Sequence, residues 1–304
     1  MTSDNRGGRR FVLIGHPVGH SLSPAIHNAA YESLGLADHG YAAVDCPDDA
    51  AVRAQVDALR RGEISGANVT VPWKRLALEL SDEADPSARD VGAANVLAST
   101  RDGERRTIVA YNTDVRALAD ELRRGRPDAR VALVIGDGGA ALAAVAACRV
   151  LGASRVFVVA RRFRGERDAT WSTATALDAL GAIPTAWPER ANADTDFRRA
   201  ALASDILIQS TSDGMHGATD GTAVRDLVPW GELRPETFAY DLVYNPAMTP
   251  FVAAARARGL SADSGLGMLV GQAALAIEIW LGRSPDRSLL RAAAERALAK
   301  KTRA

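Results

Sequence analysis

The sequence has few cysteines and no excess charge of either sign. Its two cysteines, Cys46 and Cys148, cannot form a disulfide framework, and neither belongs to a Cys-x-x-Cys pair that could bind zinc. The 37 basic and 37 acidic side chains cancel, which argues against a nucleic-acid partner, because nucleic-acid-binding domains usually carry excess Lys and Arg. We therefore expect buried, reduced cysteines, no nucleic-acid partner and no metal site.

Long hydrophobic runs are also missing. The longest apolar segment, residues 268–281, contains Gln272 and Glu278, so it is too short and too polar to span a bilayer. The first ten residues are polar and basic, without the apolar core of a secretory signal. We expect no membrane association and a cytoplasmic location. Aromatic residues reach only 5%, so Ala, Val, Leu and Ile must build the core.

Apolar, β-rich runs alternate with Ala-rich helical stretches along most of the chain. This alternation is typical of an α/β protein with a largely parallel sheet. A helix is predicted to begin with Ser23 as N-cap and Pro24 at the first position, and the last 40 residues are predicted to be helical. Residues 125–128, Gly-Arg-Pro-Asp, are the best candidate for a linker between domains. Strands are predicted at residues 11–14, 68–71, 131–135, 156–159, 205–208 and 238–242.

A glycine-rich turn, residues 136–141, follows one predicted strand and precedes a helix. Gly136 permits a tight turn, Gly138 lets the backbone approach a diphosphate, and Ala141 is small enough to replace the third glycine of the dinucleotide fingerprint. The strand, turn, helix and next strand together predict a dinucleotide site. The alternative is an ordinary turn between a strand and a helix.

Arginines follow the second strand of this unit, where NAD-binding proteins usually place Asp or Glu for the ribose 2′-hydroxyl. Arg161 and Arg162 could instead bind a 2′-phosphate. The pair favours NADP, although NAD stays possible. A solvated basic loop is the alternative.

Ser21 and Ser23 lie beside the start of the first predicted helix. Backbone N–H groups and the helix dipole suit such a place to a carboxylate. The alternative is that Ser23 only caps its helix. The next polar segment favours a ligand site.

Polar side chains interrupt the apolar strand that ends near Pro72. Alternation puts Asn68 and Thr70 on one face and Val69 and Val71 on the other. Ligands gather at the carboxyl ends of strands in α/β sheets, so the polar pair predicts a site there.

A lysine and an aspartate follow two of these strands. Lys74 is predicted at or near the start of a helix, where the dipole disfavours a cation, and Asp114 follows Asn112 and Thr113 at the start of another. We predict that the two form a pair that handles a proton. The alternatives are a solvated lysine and an ordinary helix cap.

Taken together, these motifs make the sequence similar to the shikimate dehydrogenase family, including its quinate/shikimate branch, over nearly the whole chain. The resemblance rests on residues 21–24, 68–72 with Lys74, 92–95, 112–114, 136–141, 240–246, and 265–269 with Gln272.

The resemblance implies an N-terminal α/β substrate domain, a Rossmann domain and a C-terminal helical segment that returns to the first domain. We expect these at residues 1–115, 116–265 and 266–304. It also implies a Lys74–Asp114 catalytic pair and a carboxylate held by Ser21 and Ser23. The further substrate contacts it implies are Asn68, Thr70, Asn95, Tyr244 and Gln272. The expected cofactor contacts are Gly136, Gly138, Gly139, Ala140, Arg161, Arg162, Thr211, Gly265 and Met268.

Four positions depart from the family pattern. Val115 replaces a glycine, Asp137 puts a carboxylate inside the phosphate turn, Gln209 stands where Asn is common, and Ser264 replaces Asp. We expect Val115 to lose a conformation or a close approach that only glycine allows. We expect Asp137 to weaken cofactor binding by repulsion.

The resemblance implies an NADP-dependent oxidoreductase of aromatic amino acid biosynthesis, on the route to chorismate, that interconverts 3-dehydroshikimate and shikimate. A quinate/shikimate or aminoshikimate dehydrogenase using NAD or NADP is the second possibility. A non-catalytic sensor of a dinucleotide or a shikimate-like acid is a third, from another class. We expect a cyclic hydroxy acid as substrate and a monomer or homodimer.

Overall fold

A computed structural model describes residues 8–103, 105–164, 173–188 and 195–302. The chain divides into two compact units, and they are described separately. The first unit combines Met1–Asp114 with Val270–Ala304, and the second comprises Val115–Leu269.

The first unit contains a six-stranded mixed sheet with the order β2-β1-β3-β5-β6-β4. β1 runs parallel to β2 and β3, whereas β5 runs antiparallel to β3 and β6. The sequence pattern did not predict this antiparallel part. The strands are β1 (Arg10–Gly15), β2 (Gly40–Asp45), β3 (Gly66–Val69), β4 (Glu83–Ala84), β5 (Val96–Asp102) and β6 (Arg105–Tyr111).

Helices connect these strands, and their ends follow local sequence signals. In the second helix the Asp48 carboxylate accepts a hydrogen bond from the Ala51 N–H, and left-handed Gly62 ends the helix. Val52, Val56 and Leu59 recur at helical spacing and are buried. The helices are α1 (Ser23–Ser33), α2 (Asp49–Arg61), α3 (Lys74–Glu79) and α4 (Pro86–Arg89).

The second unit contains a six-stranded, fully parallel sheet with the order β12-β11-β10-β7-β8-β9. This is the doubly wound dinucleotide-binding order, in which ligands bind beyond the carboxyl ends of the two central strands, β7 and β10. The strands are β7 (Val131–Ile135), β8 (Arg155–Ala160), β9 (Ile183–Ala186), β10 (Ile206–Gln209), β11 (Phe238–Asp241) and β12 (Ala262–Ser264).

The helices of the second half complete the α/β fold, which confirms the predicted fold class. A short 3-10 helix follows β8 at Arg161–Arg164. The helices are α5 (Asp114–Gly125), α6 (Gly139–Leu151), α7 (Ala174–Ala179), α8 (Asp196–Ala203), α9 (Thr222–Arg225), α10 (Pro250–Ala257), α11 (Leu266–Leu281) and α12 (Arg287–Thr302). Within the described ranges, none of these helices combines the length and the hydropathy needed to cross a membrane.

Residues 125–128, predicted as the linker, lie inside the second unit instead. Gly125 ends α5, and its backbone packs so closely on the Phe238 ring that a Cβ would overlap it. The stretch is therefore a loop between α5 and β7, held by its own unit.

Candidate active site

A lysine–carboxylate pair is the central feature of the first unit. Lys74 is the first residue of α3, and Asp114 is the first residue of α5. The Lys74 Nζ donates a hydrogen bond to the Asp114 Oδ2 at 2.7 Å. The Asp114 side chain is 10% exposed and that of Lys74 is 32% exposed. The ammonium is therefore held by a buried anion while staying open to a ligand.

Asn95 connects this pair to neighbouring polar groups. Its Nδ2 donates to the Asp114 Oδ1 at 2.8 Å and to the Thr113 Oγ1 at 2.9 Å. The Gln272 Oε1 lies 3.4 Å from the same nitrogen. The Asn95 Oδ1 accepts the Thr113 N–H at 2.8 Å. These buried bonds fix both the carboxylate and the amide, because an unpaired polar group would be costly there.

Asn112 holds the backbone at Asp114. Its Oδ1 accepts the Asp114 N–H at 3.0 Å, and its Nδ2 donates to the Ala93 carbonyl at 2.9 Å. The Asn-Thr-Asp segment is therefore both a helix start and part of a polar network. The proton-handling role of Asp114 with Lys74 stays a prediction.

Asn68 is buried at the end of β3 and oriented from both sides. The Tyr41 hydroxyl donates to its Oδ1 at 2.7 Å, and its Nδ2 donates to the Asn95 carbonyl at 3.2 Å. The amide N–H groups of Asn68 therefore point towards Asn95. Tyr41 was missed from the sequence, where it is only an aromatic residue in a short strand.

The predicted apolar face of Val69 and Val71 is wrong at Val71. β3 ends at Val69, and a turn follows in which the Trp73 N–H donates to the Thr70 carbonyl at 3.0 Å. Val69 is 2% exposed, but Val71 is 67% exposed. Pro72 has no N–H for a sheet ladder, so the strand stops before it.

Gly15 sets the close packing around Thr70. A Cβ on Gly15 would overlap the Thr70 methyl group and lie 2.7 Å from a Val18 methyl carbon. Any side chain here would push Thr70 away from the end of β1.

Ser21 and Ser23 divide the capping role differently from the prediction. Leu22, not Ser23, is the N-cap of α1, and no side chain caps it. The Ser21 Oγ accepts the Ser23 N–H at 3.1 Å, which leaves the Ser21 hydroxyl hydrogen for another acceptor. Ser23 is the first helical residue and is buried.

The glycine turn of the second unit is open on one side and tightly packed on the other. Gly136 has a φ of 122°, and a Cβ there would lie 2.5 Å from the Ser210 Oγ. At Gly138 and Gly139 a Cβ would meet no atom within 4 Å. These two glycines and Ala140 are exposed at the start of α6. Their backbone is thus accessible to a diphosphate.

The two arginines after β8 are exposed but have partners within the second unit. The Arg162 Nε lies 3.2 Å from the Asp137 Oδ2, and the Arg161 guanidinium lies over the Trp187 ring at 5.3 Å. The Asp137 carboxylate is therefore paired with Arg162 and is not an unpaired anion in the glycine turn.

The remaining predicted cofactor residues, and Tyr244, also lie in the second unit. The Thr211 N–H donates to the Gln209 Oε1, and Gly265 packs so closely on the Leu242 carbonyl that a Cβ would overlap it. The Met268 N–H donates to the Tyr240 hydroxyl at 3.2 Å. Burial raises the pKa of Tyr244. The functional roles of all these residues stay predictions.

Two family models match the chain. One, described as the shikimate dehydrogenase substrate binding domain, matches residues 13–97, and the other, described as the shikimate 5′-dehydrogenase C-terminal domain, matches residues 265–295. A shikimate dehydrogenase (NADP(+)) from Symbiobacterium thermophilum is 36% identical over 302 residues, which cover 97% of each chain. The chain belongs to the shikimate dehydrogenase family.

Solved structures support the same assignment. A shikimate 5-dehydrogenase from Thermus thermophilus, in complex with NADP(H) and shikimate, is 34% identical with a TM-score of 0.76, covering 95% of this chain and 99% of that chain. A ligand-free 5-ketofructose reductase from Gluconobacter sp. is 27% identical with a TM-score of 0.80, covering 96% and 99%. The family resemblance predicted from the motifs is confirmed.

Two departures from the shikimate dehydrogenase family pattern, Val115 and Gln209, have local explanations. Val115 is the second residue of α5 and is buried, so it occupies a helical position that any residue can adopt. The buried Gln209 donates from its Nε2 to the Asp213 carbonyl at 2.9 Å and so orders its own loop. Ser264 ends β12 opposite Asp241. The structure gives no separate reason for serine there.

Two buried titratable groups of this family member have strongly shifted pKa values. Burial lowers the pKa of His27, in the first unit, to about 3. Burial raises the pKa of Asp241, in the second unit, to about 7, although hydrogen bonds from Thr249 and Val243 oppose the shift. Among the residues that the structure describes, no three His, Cys, Asp or Glu residues are grouped so that they could hold a metal ion.

Proposed function

We propose that this protein interconverts 3-dehydroshikimate and shikimate with NADPH and NADP⁺, a reaction of aromatic amino acid biosynthesis. The main support for this proposal is the Lys74–Asp114 pair, hydrogen-bonded at 2.7 Å. Amide and hydroxyl groups that suit a ring bearing several hydroxyls surround it. The relative from Thermus thermophilus was solved with NADP(H) and shikimate, which supports the same ligands here.

The substrate carboxylate is assigned to Ser21 and Ser23. The Ser21 hydroxyl already accepts the Ser23 N–H, so its own hydrogen is free to donate to an anion. Ring hydroxyls are assigned to Asn68, Thr70, Asn95 and Gln272. Tyr41 donates to the Asn68 Oδ1, and one Asn68 amide hydrogen goes to the Asn95 carbonyl. Asn68 therefore has one N–H left for the substrate, and the substrate oxygen beside it must accept.

Lys74 is assigned the proton transfer. In the reducing direction its ammonium donates a proton to the carbonyl oxygen, which becomes the new hydroxyl. Asp114 keeps the ammonium in place and offers carboxylate oxygen to a neighbouring hydroxyl. The Lys74 side chain is 32% exposed, so water can return the proton after each turnover.

The second unit fits NADP(H). The open backbone at Gly138 and Gly139 suits the diphosphate, and the exposed Arg161 and Arg162 suit a 2′-phosphate. When bound, the cofactor supplies the hydride that is exchanged with the substrate carbon. Thr211, Gly265 and Met268 are assigned to the nicotinamide half, and Tyr244 to the substrate.

A cytoplasmic monomer or homodimer is the remaining part of the proposal. Cys46 and Cys148 are both buried and unpaired by disulfide, which suits a reducing compartment. Light scattering during size-exclusion chromatography tests the oligomeric state, and fractionation of cells tests the location.

Activity assays of four compounds, each with two cofactors, test the proposal. Shikimate, quinate, aminoshikimate and the product of reducing 5-ketofructose are each assayed with NADP⁺ and NAD⁺ by the absorbance of reduced cofactor. We expect shikimate with NADP⁺ to give the highest kcat/KM. Preferred turnover of quinate or aminoshikimate, with NAD⁺ or with NADP⁺, would instead support the second possibility. Calorimetric binding without any turnover would support a sensor.

A further inference from the structure

A lysine of the last helix lies against the loop that precedes α1. α12 packs on α1 within the first unit. The Lys301 Nζ is 3.3 Å from the Gly19 carbonyl oxygen and 3.4 Å from the Ser21 carbonyl oxygen. The lysine thus holds the backbone of a residue assigned to the substrate carboxylate.

The charge of Lys301 is not neutralised by these contacts. Both acceptors are uncharged carbonyls at long hydrogen-bond distances. Within residues 8–103, 105–164, 173–188 and 195–302, no carboxylate pairs with its ammonium, and burial alone shifts its pKa. Partial burial lowers the pKa of Lys301, as expected for an ammonium without an anionic neighbour.

A cation at the end of α12 would favour the binding of a carboxylate beside it. A helix C-terminus carries a partial negative charge that disfavours a nearby anion. Lys301, in the last turn of α12, places its ammonium beside the Gly19 and Ser21 carbonyls and offsets that charge there. Ser21 and Ser23 can supply hydrogen bonds to a carboxylate but no positive charge.

We propose that Lys301 is a specificity-determining residue of the carboxylate subsite, whose charge makes the enzyme favour an acid over a neutral analogue of the same ring. This inference rests on the proposed function. It adds a residue of α12 to a site that otherwise draws on β3, on the helix starts at Lys74 and Asp114, and on Gln272 of α11.

Three variants test the inference. Lys301→Met removes the charge, Lys301→Arg keeps it, and Lys300→Met is the control on the same helical turn. KM is measured with NADP⁺ for shikimate and for its uncharged methyl ester. We expect Lys301→Met to raise the KM for shikimate about two- to fivefold, as for a partly exposed charge pair, and to leave the KM for the ester nearly unchanged. Lys301→Arg should restore most of the affinity, and Lys300→Met should resemble the wild type.

An equal rise for acid and ester in Lys301→Met would mean that the lysine only shapes the loop, and would overturn the charge role. If this variant does not fold, the wild type still decides. Added salt should raise the KM for shikimate more than that for the ester, and equal rises would contradict the inference.

Failure of the proposed function is distinguished by binding. If the wild type turns over neither compound, that function fails, and calorimetric titration of shikimate into the wild type and Lys301→Met then tests the lysine alone. Weaker binding by the variant supports the inference, whereas equal binding removes it.

Discussion

The candidate site of the first unit consists of side chains, whereas that of the second consists mainly of backbone. In the first unit, buried side chains such as Asn95 and Asp114 are hydrogen-bonded to one another, which fixes their orientation. In the second, the open backbone at Gly138 and Gly139 lies near exposed arginines. We infer that oriented side chains distinguish one small hydroxylated ring from another, whereas backbone N–H groups supply most of the binding of a diphosphate.

The units also differ in how a buried titratable group responds to pH. His27 in the first unit is held neutral, because burial lowers its pKa to about 3. Asp241 in the second unit is held protonated up to near neutrality, because burial raises its pKa to about 7. Acid should therefore weaken the first unit, whereas rising pH should weaken the second.

The largest expected effect concerns the chemistry of the first unit. Lys74→Met removes the proton donor, so kcat should fall roughly 10²- to 10⁴-fold, while NADP⁺ affinity, assigned to the second unit, stays within about twofold. Steady-state kinetics and calorimetric titration with NADP⁺ measure the two quantities. Arg75→Met, at an adjacent residue that is 76% exposed, is the matched control. A kcat near that of the wild type would remove Lys74 from the reaction.

His27→Leu should remove an acid sensitivity of the first unit. A pKa of 6.5 in the unfolded chain against about 3 when folded means that stability is lost as pH falls through this window. The shift corresponds to at most about 4–5 kcal/mol. The difference in the free energy of unfolding between variant and wild type, from urea titrations between pH 7 and pH 4, checks this. A difference that does not change with pH would refute it.

Asp241→Asn should reduce the loss of stability that rising pH causes in the second unit. The carboxyl pKa of 3.8 rises to about 7 on folding, so the folded state holds the proton more tightly and stability falls as pH rises between these values. The expected loss is at most about 4 kcal/mol, and Asn mimics the protonated form. Urea titrations between pH 4.5 and 7.5 should show a smaller fall in the variant. Identical slopes would show that Asp241 is not the responsible group.

The smallest expected effect lies beside the glycine turn. Asp137→Ala frees Arg162 from its ion pair and removes an anion near the phosphates, so NADP⁺ should bind about two- to fivefold more tightly. Calorimetric titration measures the affinity, and Asp196→Ala, an exposed carboxylate in the second unit paired with Arg199, is the control. Weaker binding of NADP⁺ would indicate that Asp137 contacts the cofactor favourably.

Features encoded in short stretches of sequence were predictable. The glycine turn follows a buried strand and opens α6, and the fold class follows from the alternation of strands and helices. Lys74 and Asp114 each stand at a helix start beside a strand end, so their proximity could be anticipated from the geometry of a sheet.

Features that depend on a distant partner were not predictable. The Tyr41–Asn68 hydrogen bond joins residues 27 positions apart, and the Arg162–Asp137 pair depends on how two loops meet. Val71 continues the alternation of β3 in sequence, but its place is decided by Pro72 and the turn. The antiparallel β5–β6 pair likewise depends on long-range pairing rather than on residue pattern.

Isotope tracing follows the hydride from NADPH into the product. NADPH that carries deuterium at both hydrogens of nicotinamide C4 is incubated with 3-dehydroshikimate and the protein, and the product is analysed by mass spectrometry. We expect shikimate with one deuterium on the carbon that bears the new hydroxyl. Unlabelled shikimate, or no shikimate from a protein that binds both ligands, would contradict it.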